Sequence, residues 1–255
     1  MEALGNDFIV INAIDKKINP SSAMIQKIAN RHFGIGADQV LVIERSQQNA
    51  DFNYRIFNAD GTKAEQCLNG ARCVALYLQQ KKITKKRKFK LSCLAGILSV
   101  QLGKKGIITV QLVSNFKLLP IPEALKKIVK IEVLGAIDIG NPHLILRVNS
   151  IAKAPITLAS LIIKQHYFKN GINITFVEIV TPRHIKLRTY ERGTGETLAC
   201  GSGAVATVMT GRLCKLLDKN VTVEFCCGTL IISWLNSQSP ILIKGDAKMI
   251  FEGII

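Results

Sequence analysis

Cys67-Leu68-Asn69-Gly70-Ala71 and Cys200-Gly201-Ser202-Gly203-Ala204 carry one pattern, C-x-x-G-A, and each runs into an apolar helical stretch. Two more pairs stand in the same order. Gly5-Asn6 opens GNDFIVIN and Gly140-Asn141 opens GNPHLILRV, each read as a turn feeding an apolar strand. AMIQKIANRHFGIGADQVLVIE and LASLIIKQHYFKNGINITFVEI each read as a helix stopped by a C-terminal glycine, Gly34 or Gly171, and then an apolar strand. The three pairs are offset by 135, 137 and 133 residues, and such ordered self-similarity marks an internal repeat. The fold expected is therefore α+β in two pseudo-symmetric halves. Each half is read as a mixed, mostly antiparallel sheet curled around a central helix that begins at the cysteine. The halves are set at 1–115 and 116–245. A strand over 246–255 is expected to return to the first half, and the join to lie in the stretch 115–130, with Pro120 and Pro122.

The 255 residues are enough to bury a core without metals or disulfides. Hydrophobic residues make up 48% and charged residues 20%, the balance of a globular protein, and no apolar run approaches the roughly 18–20 residues of a membrane span. The start shows no basic segment followed by a long apolar one, so a cytoplasmic protein is expected. Seven cysteines at irregular spacing, with no CxxC and no Cys/His spacing, suggest neither a disulfide framework nor a metal site. Cys73, Cys93, Cys214, Cys226 and Cys227 fall in apolar patterns and read as buried small hydrophobes. A net charge of +16 raises nucleic-acid binding as an alternative, but the densest run, positions 81–90, holds one aromatic and no binding module, and reads as a solvated face.

Cys67 and Cys200 differ from the other five. Nine residues before each stands a polar residue, Asn58 in FNADGTKAEQC and Glu191 in ERGTGETLAC. Gly-rich loops running into helix starts leave backbone N–H groups unpaired, attract anions and lower the pKa of a thiol placed there. A repeated fold with one reactive thiol per half suits a reaction that is itself nearly symmetric. In racemisation or epimerisation one group removes a proton from a carbon and another returns it on the opposite face. The developing enolate-like charge calls for fixed donors, which two helix N-termini provide.

With GNDF at 5–8, FNADG at 57–61, NGARC at 69–73, GNPH at 140–143 and ERGTGET–ACGSGA over 191–204, the chain resembles diaminopimelate epimerases along nearly its whole length. That resemblance implies a cofactor-independent isomerase, a cytoplasmic homodimer, that interconverts LL- and meso-diaminopimelate in bacterial lysine and peptidoglycan-precursor biosynthesis. The active site is expected in the cleft between the halves. Cys67 and Cys200 match the acid/base pair. Asn6, Gln39, Asn58, Leu68, Asn69, Asn141, Asn173, Glu191, Arg192, Gly201 and Ser202 match substrate contacts, with Glu191 and amide carbonyls suited to ammonium and Arg192 to the distal carboxylate. His143 is placed to shape the site around a cysteine. Two departures stand out. Leu68 replaces the family's usual glycine, which predicts backbone strain if its φ is positive and a gain in activity on Leu68→Gly. Family members also carry a few more residues ahead of the segment aligned with Met1, which predicts either a start upstream of Met1 or a shortened first strand. Readings left open are a proline or hydroxyproline epimerase, an inactive relative of the family, and the nucleic-acid alternative.

Overall fold

Val40-Leu41-Val42-Ile43 is buried on both faces of its strand, and so is the run from Asn173 to Val177. A strand is buried on both sides only when helices cover both faces, and this requirement organises each half of the chain. The computed structural model describes every residue except Gln48, Lys105, Ser114, Asn115, Asn170 and Ile255. The chain divides into two compact units, Met1–Leu112 with Lys244–Ile255, and Val113–Ile243. Asn115, where the first half was expected to end, lies outside the described residues.

In the first unit the elements run β1 (Glu2–Ala3), β2 (Asn6–Asn12), α1 (Ser22–Ala29), β3 (Gln39–Arg45), β4 (Phe52–Asn58), β5 (Lys63–Ala64), α2 (Leu68–Gln80), β6 (Lys88–Cys93), β7 (Gly96–Leu102) and β8 (Ile108–Leu112). Strands β2 and β3 pair in parallel through the α1 crossover, β4 and β6 pair in parallel, and the other pairings along this order are antiparallel. Val40 and Val42 meet Ile25 and Ala29 of α1 on one face. On the other face Leu41 lies against Gly70 of α2, where an added Cβ would stand 3.2 Å from the leucine methyls.

The second unit begins with β9 (Lys117–Leu118) and α3 (Glu123–Ile128), then repeats that plan. It continues with β10 (Glu132–Asp138), β11 (Pro142–Arg147), α4 (Ile156–Lys164), β12 (Asn173–Thr181), β13 (His184–Glu191), β14 (Gly195–Thr197), α5 (Gly201–Leu213), β15 (Asn220–Phe225) and β16 (Gly228–Ser233). β17 (Ile241–Gly245) follows. The β11–β12 and β13–β15 pairs are parallel and the rest antiparallel, matching the first unit pair for pair. Ile174 and Phe176 pack on Ala159 and Ile162 of α4, while Gly203 of α5 sits so close to Thr175 and Thr189 that a Cβ would come within 3.1 Å of both hydroxyls. The central helices α2 and α5 have the same length, 13 residues, and nearly every residue of their first two turns is buried. The expected class, α+β with a mixed sheet around a helix in each half, is the one observed.

Three local expectations need correction. Helix α1 ends at Asn30, before Gly34, because the Asn30 carboxamide accepts the His32 and Phe33 N–H groups, each at 2.8 Å, and competes with the helical ladder. Gly34 is there for space, since a Cβ would fall 2.1 Å from the Lys27 carbonyl. Helix α4 likewise ends at Gln165, with His166 taking the left-handed conformation ahead of Gly171. No strand forms over 246–254. The last strand is Ile241–Gly245, and the segment after it joins the first unit by one bridge, Glu2 to Lys248, and by the Lys81–Glu252 ion pair. The reason is Arg72, wholly buried on α2, which donates from Nε to the Asp246 carbonyl (3.1 Å) and so diverts that backbone group from sheet pairing.

Arg72 also donates to the Asn69 side chain (2.8 Å) and the Leu68 carbonyl. Replacing it by Met takes the donor from the Asp246 carbonyl and the Asn69 amide oxygen, both at a buried site, so Arg72→Met is expected to cost about 2–4 kcal/mol. Urea unfolding of the two proteins checks this; a change under about 0.5 kcal/mol would contradict it.

Candidate active site

Both C-x-x-G-A motifs build the same cap. Cys67 precedes α2 with extended backbone, φ −144°, and its Sγ accepts the Gly70 N–H at 3.2 Å. Cys200 precedes α5 at φ −127°, and its Sγ accepts the Gly203 N–H at 3.3 Å. Each sulfur thus sits where the first helical turn directs its unpaired N–H groups.

Sheet register brings the polar residues to these caps. In the first unit Gln39 pairs with Asn58 across β3–β4, and Asn6 opens the neighbouring β2. The Gln39 side chain donates to Asn58 (3.0 Å), Asn58 donates to Thr62 (3.0 Å), and the Cys67 thiol reaches the Asn6 carbonyl oxygen at 3.9 Å. In the second unit Asn173 lies beside His143 across β11–β12 and accepts the Arg192 backbone N–H at 2.9 Å. Glu191 ends β13, accepts the Thr197 hydroxyl at 2.7 Å, and acts on Cys200 by its charge. The Asn141 amide donates to Ser202 at 3.5 Å, and Ser202 Oγ lies 3.3 Å from Cys200 Sγ. Two carbonyl oxygens in this set, Gln39 Oε1 and Asn141 Oδ1, are buried without a partner among the described residues.

Burial, and next the Glu191 carboxylate, push the Cys200 thiol well above the usual thiol range. This corrects the expectation that its helix terminus lowers the pKa. The Gly203 N–H does favour thiolate, but desolvation outweighs it while the Glu191 charge stands beside the sulfur. His143 is fully buried, with Nε2 2.9 Å from Ser202 Oγ and Nδ1 3.5 Å from Thr175 Oγ1. Burial, helped by the charge of Arg192, pushes it down to about 3, so the ring is neutral.

A family model described as diaminopimelate epimerase matches residues 1–113 and 135–250. The chain belongs to the diaminopimelate epimerase family. A diaminopimelate epimerase of Thioalkalivibrio sulfidiphilus is 41% identical, covering all of this chain and 97% of its own length; one of Nitrosospira multiformis is 38% identical, with 100% and 96% covered. A solved structure of a phenazine biosynthesis protein of the PhzF family from Bacillus anthracis superposes with a TM-score of 0.70 over 96% of this chain and 92% of its own. At 19% identity that likeness shows the shared fold alone.

Within this family member the first unit gathers Asn6, Gln39, Asn58, Cys67, Leu68 and Asn69. The second gathers Asn141, Asn173, Glu191, Arg192, Cys200, Gly201 and Ser202. Asn69 turns away from solvent to hold Arg72. Sequence reasoning passed over Asp38, whose carboxylate accepts from the Asn6 amide (2.8 Å) while Arg31 clamps it, and over Thr62 and Thr197, which hold Asn58 and Glu191. Their signal was present: Asp38 directly precedes Gln39, and Thr197 closes ERGTGET. Three of the five remaining cysteines, Cys214, Cys226 and Cys227, are exposed rather than buried, because they sit at the end of α5 and in the β15–β16 turn. Among the described residues no group of three metal-ligating side chains occurs, and no helix is long and apolar enough to cross a membrane.

Leu68 is the first residue of α2, buried, and its φ is not positive. The anticipated strain is absent, and a glycine here gives up helix propensity and apolar burial. Leu68→Gly is expected to lose about 2 kcal/mol of stability with no gain in kcat/KM. Urea unfolding beside a turnover assay tests this, and higher kcat/KM in the variant would contradict it.

His143 predicts an acid-sensitive fold. Below pH 6.5 the unfolded chain protonates this ring while the folded protein does not until about 3, so its contribution to stability is lost as pH falls through that window. The drop in Tm between pH 6.5 and 3 should be smaller in His143→Gln than in the parent. Parallel pH–Tm curves for the two would refute the assignment.

Proposed function

We propose that this protein interconverts the LL and meso stereoisomers of diaminopimelate, with Cys67 and Cys200 exchanging the α-proton. The observation that carries the reading is the pair of sulfur-capped helices, each ringed by a matched polar set: Asn6, Gln39 and Asn58 in one unit, Asn141, Asn173 and Glu191 in the other.

The chemistry follows from what each group offers. Gln39 Oε1 and Asn141 Oδ1 are buried acceptors awaiting donors, and with Glu191 they suit a substrate ammonium. The N–H groups of Leu68, Asn69, Gly201 and Ser202 occupy the first turns of α2 and α5, where a carboxylate and its enolate-like form are stabilised. Arg192 offers a fork for the distal carboxylate, which sets a diamino diacid apart from a simple amino acid.

In one direction the Cys67 thiolate takes the α-proton. The C–H electron pair delocalises into the carboxylate, and the Cys200 thiol delivers its proton to the opposite face. Burial and Glu191 keep Cys200 protonated, which fits it to the acid role in this direction. An ammonium beside Glu191 then offsets the carboxylate charge and eases release of the proton. The reverse direction exchanges the roles. This reading makes the protein an isomerase of lysine and peptidoglycan-precursor biosynthesis, acting as a cytoplasmic homodimer.

Incubation of reduced protein with LL-diaminopimelate in D2O, followed by NMR, tests the proposal. Deuterium at the α-carbon and appearance of the meso isomer are expected. Cys67→Ala and Cys200→Ala are each expected to lower turnover at least about 10³-fold. Absence of exchange in folded, reduced protein would overturn the reading.

A further inference from the structure

Cys226 and Cys227 form the two-residue turn between β15 and β16, closed by Phe225 opposite Gly228. The matching turn of the first unit is Leu94-Ala95, closed by Cys93 opposite Gly96. Both turns touch the carbonyl two residues ahead of the helix-capping cysteine. In the first unit the Ala95 N–H donates to Glu65 at 3.1 Å. In the second, the thiols of Cys226 and Cys227 donate to the Leu198 carbonyl at 3.6 and 3.5 Å. Two exposed sulfurs adjacent in sequence thus converge on one oxygen, at the start of the segment that delivers Cys200. Arg188, gripped at two points by Glu196, lies close to Cys226.

We propose that Cys226 and Cys227 form a chelating dithiol site for a soft, thiophilic centre with two open valences, of which the arsenic of a trivalent arsenoxide is the type. Its occupation takes both donors away from the Leu198 carbonyl and so perturbs Cys200. The step balances without redox change. Two S–As bonds replace the As=O bond, the two thiol protons leave with the oxygen as water, and arsenic stays trivalent. Adjacency supplies the affinity, because once one sulfur is bound the second attacks intramolecularly. A single-thiol adduct, as on Cys214, lacks that advantage and is stripped by excess monothiol. The effect on turnover rests on the catalytic reading of Cys200; the binding does not.

The test uses phenylarsine oxide with excess 2-mercaptoethanol, read by intact mass on the Cys67→Ala/Cys200→Ala variant. One adduct is expected, removable by a dithiol and lost on adding Cys226→Ser or Cys227→Ser. No adduct, or one that survives both serine changes, overturns the site. Should that variant fail to fold, the otherwise unaltered chain should lose one adduct on Cys226→Ser, and an unchanged count overturns the proposal equally. In the turnover assay the adduct should lower kcat/KM about tenfold, as expected for two weak S–H···O contacts. Cys226→Ser/Cys227→Ser should turn over normally and resist the arsenical. Equal inhibition of that variant would refute the coupling to Cys200. Absence of turnover in the untreated chain would instead count against the epimerase reading and leave the mass result to stand or fall alone.

Discussion

In both units a cysteine sulfur accepts the N–H of the third residue of a helix, Gly70 at 3.2 Å and Gly203 at 3.3 Å. That contact needs the cysteine in an extended conformation, a glycine at the third position so that the helix can press on its sheet, and a helix buried deeply enough to keep the terminus in place. The rest of each unit supplies these conditions. The parallel crossovers through α1 and α4 cover the outer faces of β3 and β12, leaving the inner faces to α2 and α5. Because the sulfur occupies a cap position, its location is fixed by backbone geometry rather than by a side-chain rotamer alone, which suits a group that must meet a carbon within a narrow range of positions.

The two units repeat their elements but not their electrostatics. Asn58 and Glu191 hold corresponding places at the ends of β4 and β13, so a neutral amide stands in one unit where the other has a carboxylate acting on its sulfur. The second unit also carries the buried neutral His143, linked through Ser202 to Cys200. A duplicated scaffold has thereby become chemically lopsided. In the proposed reaction such a difference is useful, because a thiol acting as acid must hold its proton until the substrate brings its own charge.

Part of the basic run at 81–90 is engaged locally. Lys81 pairs with Glu252 and Lys86 with Asp51, and Asp51 also accepts the Lys90 backbone N–H. Two charges of the basic run, on Lys81 and Lys86, thus tie the C-terminal segment to the end of α2 and the approach to β6 to the start of β4.

The repeat, the α+β class and the position of both cysteines at helix starts were legible in the chain, because each follows from the spacing of apolar residues and glycines over a few neighbours. Asn6, Gln39 and Asn58, with their counterparts Asn141, Asn173 and Glu191, could be named from motifs but not joined to one another; strand register alone sets Gln39 opposite Asn58 and Asn173 beside His143. Helix ends were misread where a side chain competed with the backbone, as Asn30 does, and the last strand was misplaced because Arg72 captures a carbonyl 174 residues away. The high pKa of Cys200 and the exposure of Cys214, Cys226 and Cys227 were likewise decided by the tertiary structure. Local sequence specifies which groups a segment carries and how its backbone turns. Desolvation and long-range pairing depend on what the rest of the chain packs against it.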